Sequence, residues 1–360
     1  MSASVIICCG SGGVGKTTSS AALALKLARE GKRVVVLTID PAKRLADSLN
    51  VGEIHGTPTR VPLKDCTGLC DAVMLDVQQT FVDLIHHFAA APKQAQRILD
   101  NRYFQFASTR LGGVHEYMAA EKVRALATCG DYEVVVVDTP PSRNALDFLT
   151  APQRLAALMD GGVIRWVAMP ATRKGWRALE VGSDAIAKIL RRLVGDTTIL
   201  EIAEFFDAFR GLWDGFHERS VEVQNLLRGP DTSFLLVTSP ATTARNEAFF
   251  FLEQLKEEKM PFAGFLINRV QVSPKQTPQR GAFPDTGPIA GWSEICDFVA
   301  HAPVQQTKFA ELHQRHIQTI RQAGPKDAAM WTIPDKGSPV NELSDLISIG
   351  EFLPGVHDLL

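Results

Sequence analysis

Seven apolar segments recur along the chain, and stretches with helical character separate them. Each segment is rich in β-branched and aliphatic residues and is a continuous apolar run, which is typical of strands that are buried on both faces. Because such strands occur in parallel sheets covered by helices, the pattern predicts an α/β fold with a doubly wound, mostly parallel sheet. The predicted strands are residues 5–9, 33–39, 71–77, 133–138, 233–239, 262–270 and 328–333.

Two stretches, residues 77–127 and roughly 152–227, interrupt this alternation and look helical throughout. In the second stretch, apolar residues follow 3-4 spacing from Ile199 to Leu227, which predicts one long amphipathic helix. Its apolar side either packs in a core or lines a groove for the hydrophobic helix of a client. We therefore expect two parts: a core of residues 1–76, 128–150 and 231–350, and a helical lobe formed by insertions 77–127 and 151–230.

The composition narrows the class of protein. Hydrophobic residues make up 45 % of the 360 residues, which is enough for a large globular core. Thirty-eight Lys and Arg residues against 40 Asp and Glu give a net charge of −2, so we expect no nucleic-acid partner. The six cysteines form no CxxC pair, and the N-terminus has no positively charged signal region. We therefore expect a cytoplasmic protein with reduced thiols.

A basic cluster lies between Arg165 and Arg192, where seven Lys and Arg side chains face only Glu180 and Asp184. A solvated helix face is the simpler interpretation. The alternative is a surface that docks on acidic lipid headgroups, which would bring the protein peripherally to a membrane.

The strongest chemical signal is a glycine-rich loop directly after the first predicted strand. Residues 10–17 read Gly-Ser-Gly-Gly-Val-Gly-Lys-Thr and match the pattern G-x-x-x-x-G-K-[ST], with an Ala/Leu-rich helix behind them. Glycines let the main chain curl around a triphosphate, so that backbone N–H groups and the helix N-terminus face its oxygens. The loop therefore predicts binding of a nucleoside triphosphate by Gly12, Gly13, Val14, Gly15, Lys16, Thr17 and Thr18.

An aspartate at the end of a buried strand completes the predicted site. Four consecutive valines, residues 134–137, lead into Asp138. Beside the loop, a carboxylate in this position can hold a water molecule that coordinates Mg²⁺. Lys16 then meets the β- and γ-phosphates, and the Thr17 hydroxyl coordinates the metal. The predicted metal site consists of Thr17 and, through water, Asp138.

Three motifs follow one another in a fixed order. The first is the loop at residues 10–18, the second is Thr-Ile-Asp-Pro-Ala-Lys-Arg-Leu-Ala-Asp-Ser-Leu at 38–49, and the third is Asp-Thr-Pro-Pro-Ser at 138–142. Together they resemble the phosphate loop, switch I and switch II of the arsenite-pump and tail-anchored-protein targeting ATPases, relatives of the MinD-type dimeric P-loop ATPases. Residues 236–240 and 267–270 look like later strands of that family, so the resemblance covers essentially the whole chain.

The resemblance implies an ATPase that uses ATP and Mg²⁺ and works as a dimer. It gives catalytic roles to Asp40, which orients the attacking water, and to Lys16, and it makes Asn268 the residue that recognises adenine. It also implies a helical lobe that moves with the nucleotide state and binds a hydrophobic client or membrane protein.

One residue of the loop departs from the family pattern. The family has a second lysine directly after the first glycine, and in its dimers that lysine reaches the partner's nucleotide, whereas this chain has Ser11. Because a hydroxyl cannot offset the charge that develops during phosphoryl transfer, we expect slow hydrolysis by a symmetric homodimer. Either Lys43 or Arg44 supplies the missing charge, or the chain forms a heterodimer with a paralogue that keeps the lysine.

Three functions stay open on this basis. The leading hypothesis is a Mg²⁺-dependent ATPase whose cycle moves a helical lobe and so controls binding of a hydrophobic client or membrane partner. The second is the ATPase subunit of an exporter of anions or metalloids such as arsenite. The third is a nucleotide-gated binding protein that scarcely hydrolyses ATP.

Overall fold

Helices and strands alternate along the protein in a computed structural model that describes residues 2–40, 44–64, 66–101, 113–140, 151, 212–274, 291–340 and 342–359. The strands are β1 (Ser4–Cys9), β2 (Arg33–Thr38), β3 (Thr59–Arg60), β4 (Leu69–Met74), β5 (Val134–Asp138), β6 (Thr232–Thr238), β7 (Phe262–Val270) and β8 (Ala329–Pro334). The helices are α1 (Lys16–Arg29), α2 (Arg44–Leu49), α3 (Val77–Phe88), α4 (Pro92–Leu99), α5 (Val114–Thr128), α6 (Trp213–Arg228), α7 (Thr242–Glu257), α8 (Trp292–Ala323) and α9 (Leu343–Gly350).

The eight strands form one sheet in the order β3-β4-β2-β5-β1-β6-β7-β8. All neighbours are parallel except β3 and β4, which run antiparallel. The chain leaves β1 towards β2 on one side, and β6 to β8 lie on the other side. The carboxyl end of β1 is therefore a topological switch point, which is where open α/β sheets bind their ligands.

The doubly wound fold class and all seven predicted strands are confirmed, with bounds that shift by three residues or fewer. The eighth strand, β3, is not indicated by the hydrophobic pattern. Its two residues, Thr59 and Arg60, pair with Ala72 and Asp71 at the edge of the sheet. A strand of two residues is too short to show a periodic pattern, so only the pairing reveals it.

Helices cover both faces of the sheet and create two apolar cores. Along β1, Val5 and Ile7 enter one core, whereas Ile6 and Cys8 enter the other. The first core is completed by α5, α6, α7 and α8, and the second by α1, α2 and α9. Because successive side chains of a strand point to opposite faces, burial on both faces requires an unbroken apolar run, as the sequence has.

A third apolar cluster lies among α3, α4, α5 and α6. Phe216 of α6 packs edge-on against Phe81 of α3, with ring centroids 6.2 Å apart and an interplanar angle of 76°. Edge-to-face aromatic contacts of this kind stabilise a core beyond the area that they bury. The described helices of the two helical stretches therefore have a core of their own.

The amphipathic helix that the sequence predicts from Ile199 to Leu227 is described only from Trp213, where α6 begins with Leu212 at its N-cap. Phe216, Val223 and Leu227 are buried, so the described part of the apolar stripe packs in a core. Residues 199–211 and the basic cluster at 165–192 lie outside the described residues, and the division into core and lobe stays a prediction. Among the helices that the structure describes, none has both the length and the apolarity needed to cross a bilayer.

Candidate nucleotide-binding site

The glycine-rich loop connects β1 to α1 and is wedged between two further strands. At Gly10, where φ is +148°, a Cβ atom would lie 2.0 Å from the carbonyl oxygen of Val237 on β6. At Gly15, the N-cap of α1 with φ +92°, a Cβ atom would lie 2.2 Å from Nδ2 of Asn268 on β7. Both positions therefore need glycine, because the backbone conformation and the close neighbours leave no room for a side chain.

Lys16 is buried and its ammonium group is held inside the loop. Nζ donates hydrogen bonds to the carbonyl oxygens of Gly10 at 3.0 Å and Ser11 at 2.7 Å. Burial lowers the pKa of Lys16, and the carboxylate of Asp138 acts in the opposite direction. The loop thus holds a cation among its own carbonyls, at the place where the motif predicts phosphate.

Asp138 lies at the carboxyl end of β5 with only 1 % of its surface exposed. Its Oδ2 atom accepts hydrogen bonds from Thr17 Oγ1 at 2.8 Å and from Thr38 Oγ1 at 3.2 Å. Its Oδ1 atom is buried and has no hydrogen-bond partner among the described residues. Burial raises the pKa of this carboxyl from 3.8 to about 6, although the Thr17 hydroxyl and the Lys16 ammonium favour the ionised form.

The predicted metal ligands, Thr17 and Asp138, fit Mg²⁺ in their chemistry. Mg²⁺ prefers hard oxygen ligands and usually keeps several of its waters, and these residues offer a hydroxyl and a carboxylate. The buried Oδ1 atom is an acceptor without a partner in the described part of the chain, and a metal-bound water would satisfy it. The assignment of the metal to these residues stays a prediction that their chemistry supports.

Asp40 follows the end of β2, next to the loop. Oγ1 of Thr38 lies 3.3 Å from the carbonyl oxygen of Asp40 and 3.2 Å from Oδ2 of Asp138, so one hydroxyl links the ends of β2 and β5. Asp40 forms part of the wall of a cavity of about 340 Å³ in front of the loop. The cavity is lined by Gly13, Gly15, Lys16, Thr17, Thr18, Asp40, Asp47, Ser48, Thr139 and Arg269.

Asn268 lies at the carboxyl end of β7 and its side chain contacts the loop directly. Nδ2 donates to the carbonyl oxygen of Val14 at 2.8 Å, and Oδ1 accepts from the backbone N–H of Arg269 at 2.9 Å. The amide nitrogen carries a second hydrogen and Oδ1 has a second lone pair, and both remain for a base. Asn268 therefore holds the loop through a hydrogen bond to its backbone, and its contact with adenine stays a prediction.

Ser11, the residue that departs from the family pattern, is buried. Its Oγ atom has no hydrogen-bond partner among the residues that the structure describes. Lys43 and Arg44 are the two residues that the sequence predicts as substitutes for the missing lysine. Lys43 and the side chain of Arg44 lie outside the described residues, so their role stays a prediction.

The structure brings the predicted residues together around the switch point of the sheet. Gly12 to Thr18 form the loop and its helix start. Asp40 follows β2 and Asp138 ends β5, its neighbour in the sheet, whereas Asn268 lies at the carboxyl end of β7, beyond β1 and β6 on the same edge. Sequence reasoning gave no role to Thr38, although it lies two residues before Asp40, or to Arg269, although it directly follows Asn268. The cavity-lining residues without a predicted role are Asp47, Ser48, Thr139 and Arg269.

A mostly parallel sheet with this loop at its switch point defines the P-loop class of nucleotide-binding proteins. Within that class, the family model of the anion-transporting ATPases matches residues 3–283, well over half of the chain. The chain belongs to this family of ATPases, and the resemblance carried by the three motifs is confirmed.

Several relatives have related names. The putative arsenical pump-driving ATPase 1 of Aquifex aeolicus (strain VF5) is 29 % identical over 283 residues, which cover 74 % of this chain and 61 % of that protein. The ATPase BagA of Mycobacterium tuberculosis (strain ATCC 25618 / H37Rv) is 26 % identical over 164 residues, 43 % of this chain and 47 % of that protein. The ATPase get3 of Aspergillus terreus (strain NIH 2624 / FGSC A1156) is 34 % identical over 144 residues, 40 % of this chain and 41 % of that protein. The chain thus spans about three fifths of the first relative and less than half of the other two.

Proposed function

We propose that this protein binds ATP with Mg²⁺ and hydrolyses it at the loop between β1 and α1. One observation carries the proposal: the Thr17 hydroxyl is hydrogen-bonded to a buried Asp138 whose second oxygen has no partner among the described residues, beside the buried ammonium of Lys16. Hydroxyl, carboxylate and ammonium are the groups that a magnesium-bound triphosphate requires from a protein.

The proposed mechanism assigns one task to each residue. The backbone N–H groups of residues 12–18 bind the phosphate oxygens, and Lys16 neutralises charge on the β- and γ-phosphates. Thr17 and, through a water molecule, Asp138 would hold Mg²⁺, which would neutralise further charge on the phosphate oxygens. Asp40 orients a water molecule for in-line attack on the γ-phosphate, so that ADP and inorganic phosphate are the products. Positioning and charge stabilisation supply nearly all of the rate.

Hydrolysis by the isolated chain is slow in this proposal, because Ser11 offers no positive charge where the family has its second lysine. A cation delivered by a partner subunit is worth about 10³ to 10⁵ in rate in comparable nucleotide hydrolases. A homodimer, or a heterodimer with a paralogue that keeps the lysine, is therefore part of the proposal. In the limiting case the protein is a nucleotide-gated binding protein with little hydrolysis.

The helical region is proposed to couple nucleotide state to a hydrophobic client or membrane protein. The described part of this region supports a separately packed helical unit, because α3, α4, α5 and α6 pack on one another around the third apolar cluster. A second candidate, the ATPase of an arsenite or other anion exporter, is favoured by the name of the Aquifex relative, an arsenical pump-driving ATPase that matches 74 % of this chain. Phosphate release that rises on addition of arsenite or antimonite would favour the exporter, and capture of membrane-segment proteins in one nucleotide state only would favour the client.

The proposed ATP site is tested by calorimetry with Mg²⁺ and ATP and by single-turnover phosphate release. We expect Lys16→Ala to lower ATP affinity at least about 100-fold, because the loop loses its charge-assisted contacts with phosphate. We expect Asp40→Asn to keep ATP affinity and to slow hydrolysis about 100-fold or more. Lys26→Ala, on the same helix but outside the loop, is the matched control. No heat with the wild-type protein, or unchanged affinity in Lys16→Ala, would refute the proposal.

A further inference from the structure

Arg269 has a backbone conformation that side-chain-bearing residues rarely adopt. Its φ angle is +58°, in the left-handed region. The pairing of β7 with β8 shifts between Ile267 and Val270, so Asn268 and Arg269 form a bulge at the carboxyl end of β7. Bulges interrupt the regular alternation of side chains along a strand, redirect a side chain and are common beside active sites. The strained residue therefore lies in a bulge on the wall of the cavity in front of the loop.

Asn268 fixes this bulge to the phosphate loop. Its Oδ1 atom accepts a hydrogen bond from the backbone N–H of Arg269, and its Nδ2 atom donates one to the carbonyl oxygen of Val14. A single side chain thus connects the backbone of the bulge to the backbone of the loop. The position of Arg269 relative to the loop is set by two hydrogen bonds and does not depend on the arginine side chain itself.

Arg269 lines the same cavity as Lys16, Thr17 and Thr18. Arg269 is exposed, and its guanidinium group has no hydrogen bond or ion pair with the described residues. By contrast, the ammonium of Lys16 already donates to two loop carbonyls. Of these two cations, Arg269 is the one whose donors are all available to a ligand.

The charges around the cavity favour a second cation. Its described lining contains the carboxylates of Asp40 and Asp47 and the cations Lys16 and Arg269. Without Arg269, the charged side chains of this lining would be two carboxylates and one ammonium group, a net negative charge that the loop N–H groups and Mg²⁺ alone would have to offset. A guanidinium group also presents its donors in a planar fork that matches two phosphate oxygens.

We propose that Arg269 binds the phosphate chain of the nucleotide and is the second cation of the site. The inference rests on the proposed function and deepens it, because it draws the additional positive charge from β7 of the same chain. The role belongs to binding: Arg269 contributes to the affinity for ATP and for ADP, since both carry the phosphates that lie against the loop.

The test measures the affinity of the full chain for ATP and ADP with Mg²⁺ by calorimetry, and for adenosine by ligand-observed NMR. Three variants are compared: Arg269→Gln, Arg269→Gly and Arg269→Lys. We expect the Gln and Gly variants to weaken ATP and ADP binding about 10- to 100-fold, as loss of a charge-assisted hydrogen bond does, and the Lys variant to weaken it less. Adenosine affinity should not change. Arg321→Gln, which removes an exposed arginine near the end of α8, is the control.

The glycine variant separates the guanidinium from the strained backbone. Glycine adopts φ +58° without steric cost, so a loss of affinity in Arg269→Gly cannot come from a distorted bulge. The proposal is overturned if the Gln and Gly variants bind ATP within twofold of the wild type, or if adenosine binding weakens as much as ATP binding. If the wild type binds ATP and depends on Lys16 but not on Arg269, only this inference fails. If the wild type binds no nucleotide, the proposed function fails as well.

Discussion

The phosphate loop and the bulge at the end of β7 contact each other, yet they reach the site in different ways. The loop consists of consecutive residues whose identities alone predict their role. The bulge lies far along the chain, and the hydrogen bond from Asn268 to Val14 spans 254 residues. The two regions meet because β6 separates β7 from β1 in the sheet, so that the carboxyl ends of the strands share one edge.

This difference shows that the conformation of the loop is not a property of its glycines alone. Gly15 is without a side chain partly because Asn268 occupies the space beside it. In the proposed site, the loop supplies the anion-binding backbone, and the bulge supplies a clamp, Asn268, and a side-chain cation, Arg269. Substitutions in the loop should therefore change the effect of substitutions in the bulge, and the reverse.

Gly15→Ala should have the largest effect on stability. The alanine must adopt φ +92°, and its Cβ atom would lie 2.2 Å from Nδ2 of Asn268. The left-handed conformation costs about 1–2 kcal/mol and displacement of the amide adds to it, so we expect the free energy of unfolding to fall by about 3 kcal/mol. Urea denaturation monitored by circular dichroism measures this change.

Gly13→Ala is the matched control for that substitution. Gly13 also has positive φ, +75°, but a Cβ atom there would meet nothing within 4 Å. We therefore expect a cost of only about 1–2 kcal/mol, from backbone strain alone. If Gly15→Ala and Gly13→Ala lower the free energy of unfolding equally, the contact between the loop and Asn268 does not contribute to stability.

Most parts of the site that the sequence predicts depend on local chemistry, whereas Asp40 and Asn268 received their roles from the family resemblance. The loop at 10–17 is a contiguous motif, and each buried strand is an unbroken apolar run, so both follow from short stretches of sequence. The bulge at Arg269 is different, because a shift in pairing between β7 and β8 depends on residues far apart in the chain. The contact of Thr38 with Asp138 likewise requires β2 and β5 to be neighbours, which only the strand order shows.

The loop side of the site should also make stability depend on pH, through Asp138. Burial raises the pKa of this carboxyl from 3.8 to about 6 in the folded protein. Between these two values the unfolded chain has lost the proton while the folded protein still binds it, so stability falls as pH rises through this window. Asp138→Asn removes the titration. The wild-type stability minus that of the variant should decrease by roughly 2–3 kcal/mol between pH 4 and pH 7.5.

The measurement is urea denaturation of both proteins at several pH values, without nucleotide or metal. Other titrating groups are common to the two proteins, so their contributions cancel in the difference. A difference that stays constant or increases with pH would contradict the raised pKa. Repeating the series with Mg²⁺ and ATP should reduce the slope, because bound metal favours the ionised carboxylate.

Asn268→Ala should have the smallest effect on stability as a single substitution. Combined with Gly15→Ala, it tests the contact between the bulge and the loop directly. The substitution removes the hydrogen bonds to Val14 and Arg269, and we expect a loss of about 1–2 kcal/mol. It also opens the space that a Cβ atom at residue 15 would occupy. The double variant Gly15→Ala/Asn268→Ala should therefore be more stable than the sum of the single losses predicts, by about 1 kcal/mol or more.

The same cycle with Gly13→Ala in place of Gly15→Ala should be additive, since residue 13 has no neighbour within 4 Å to be relieved. ATP affinity gives a second reading of the pair. Asn268 holds the backbone of Arg269 in the bulge, so Asn268→Ala should weaken ATP binding both by its own lost contacts and by displacing Arg269. The loss of ATP affinity should therefore be smaller when Asn268→Ala is made in the Arg269→Gln variant than when it is made in the wild type. If the losses of Asn268→Ala and Arg269→Gln in ATP affinity simply add, the clamp and the cation act independently, and the bulge does not position the arginine.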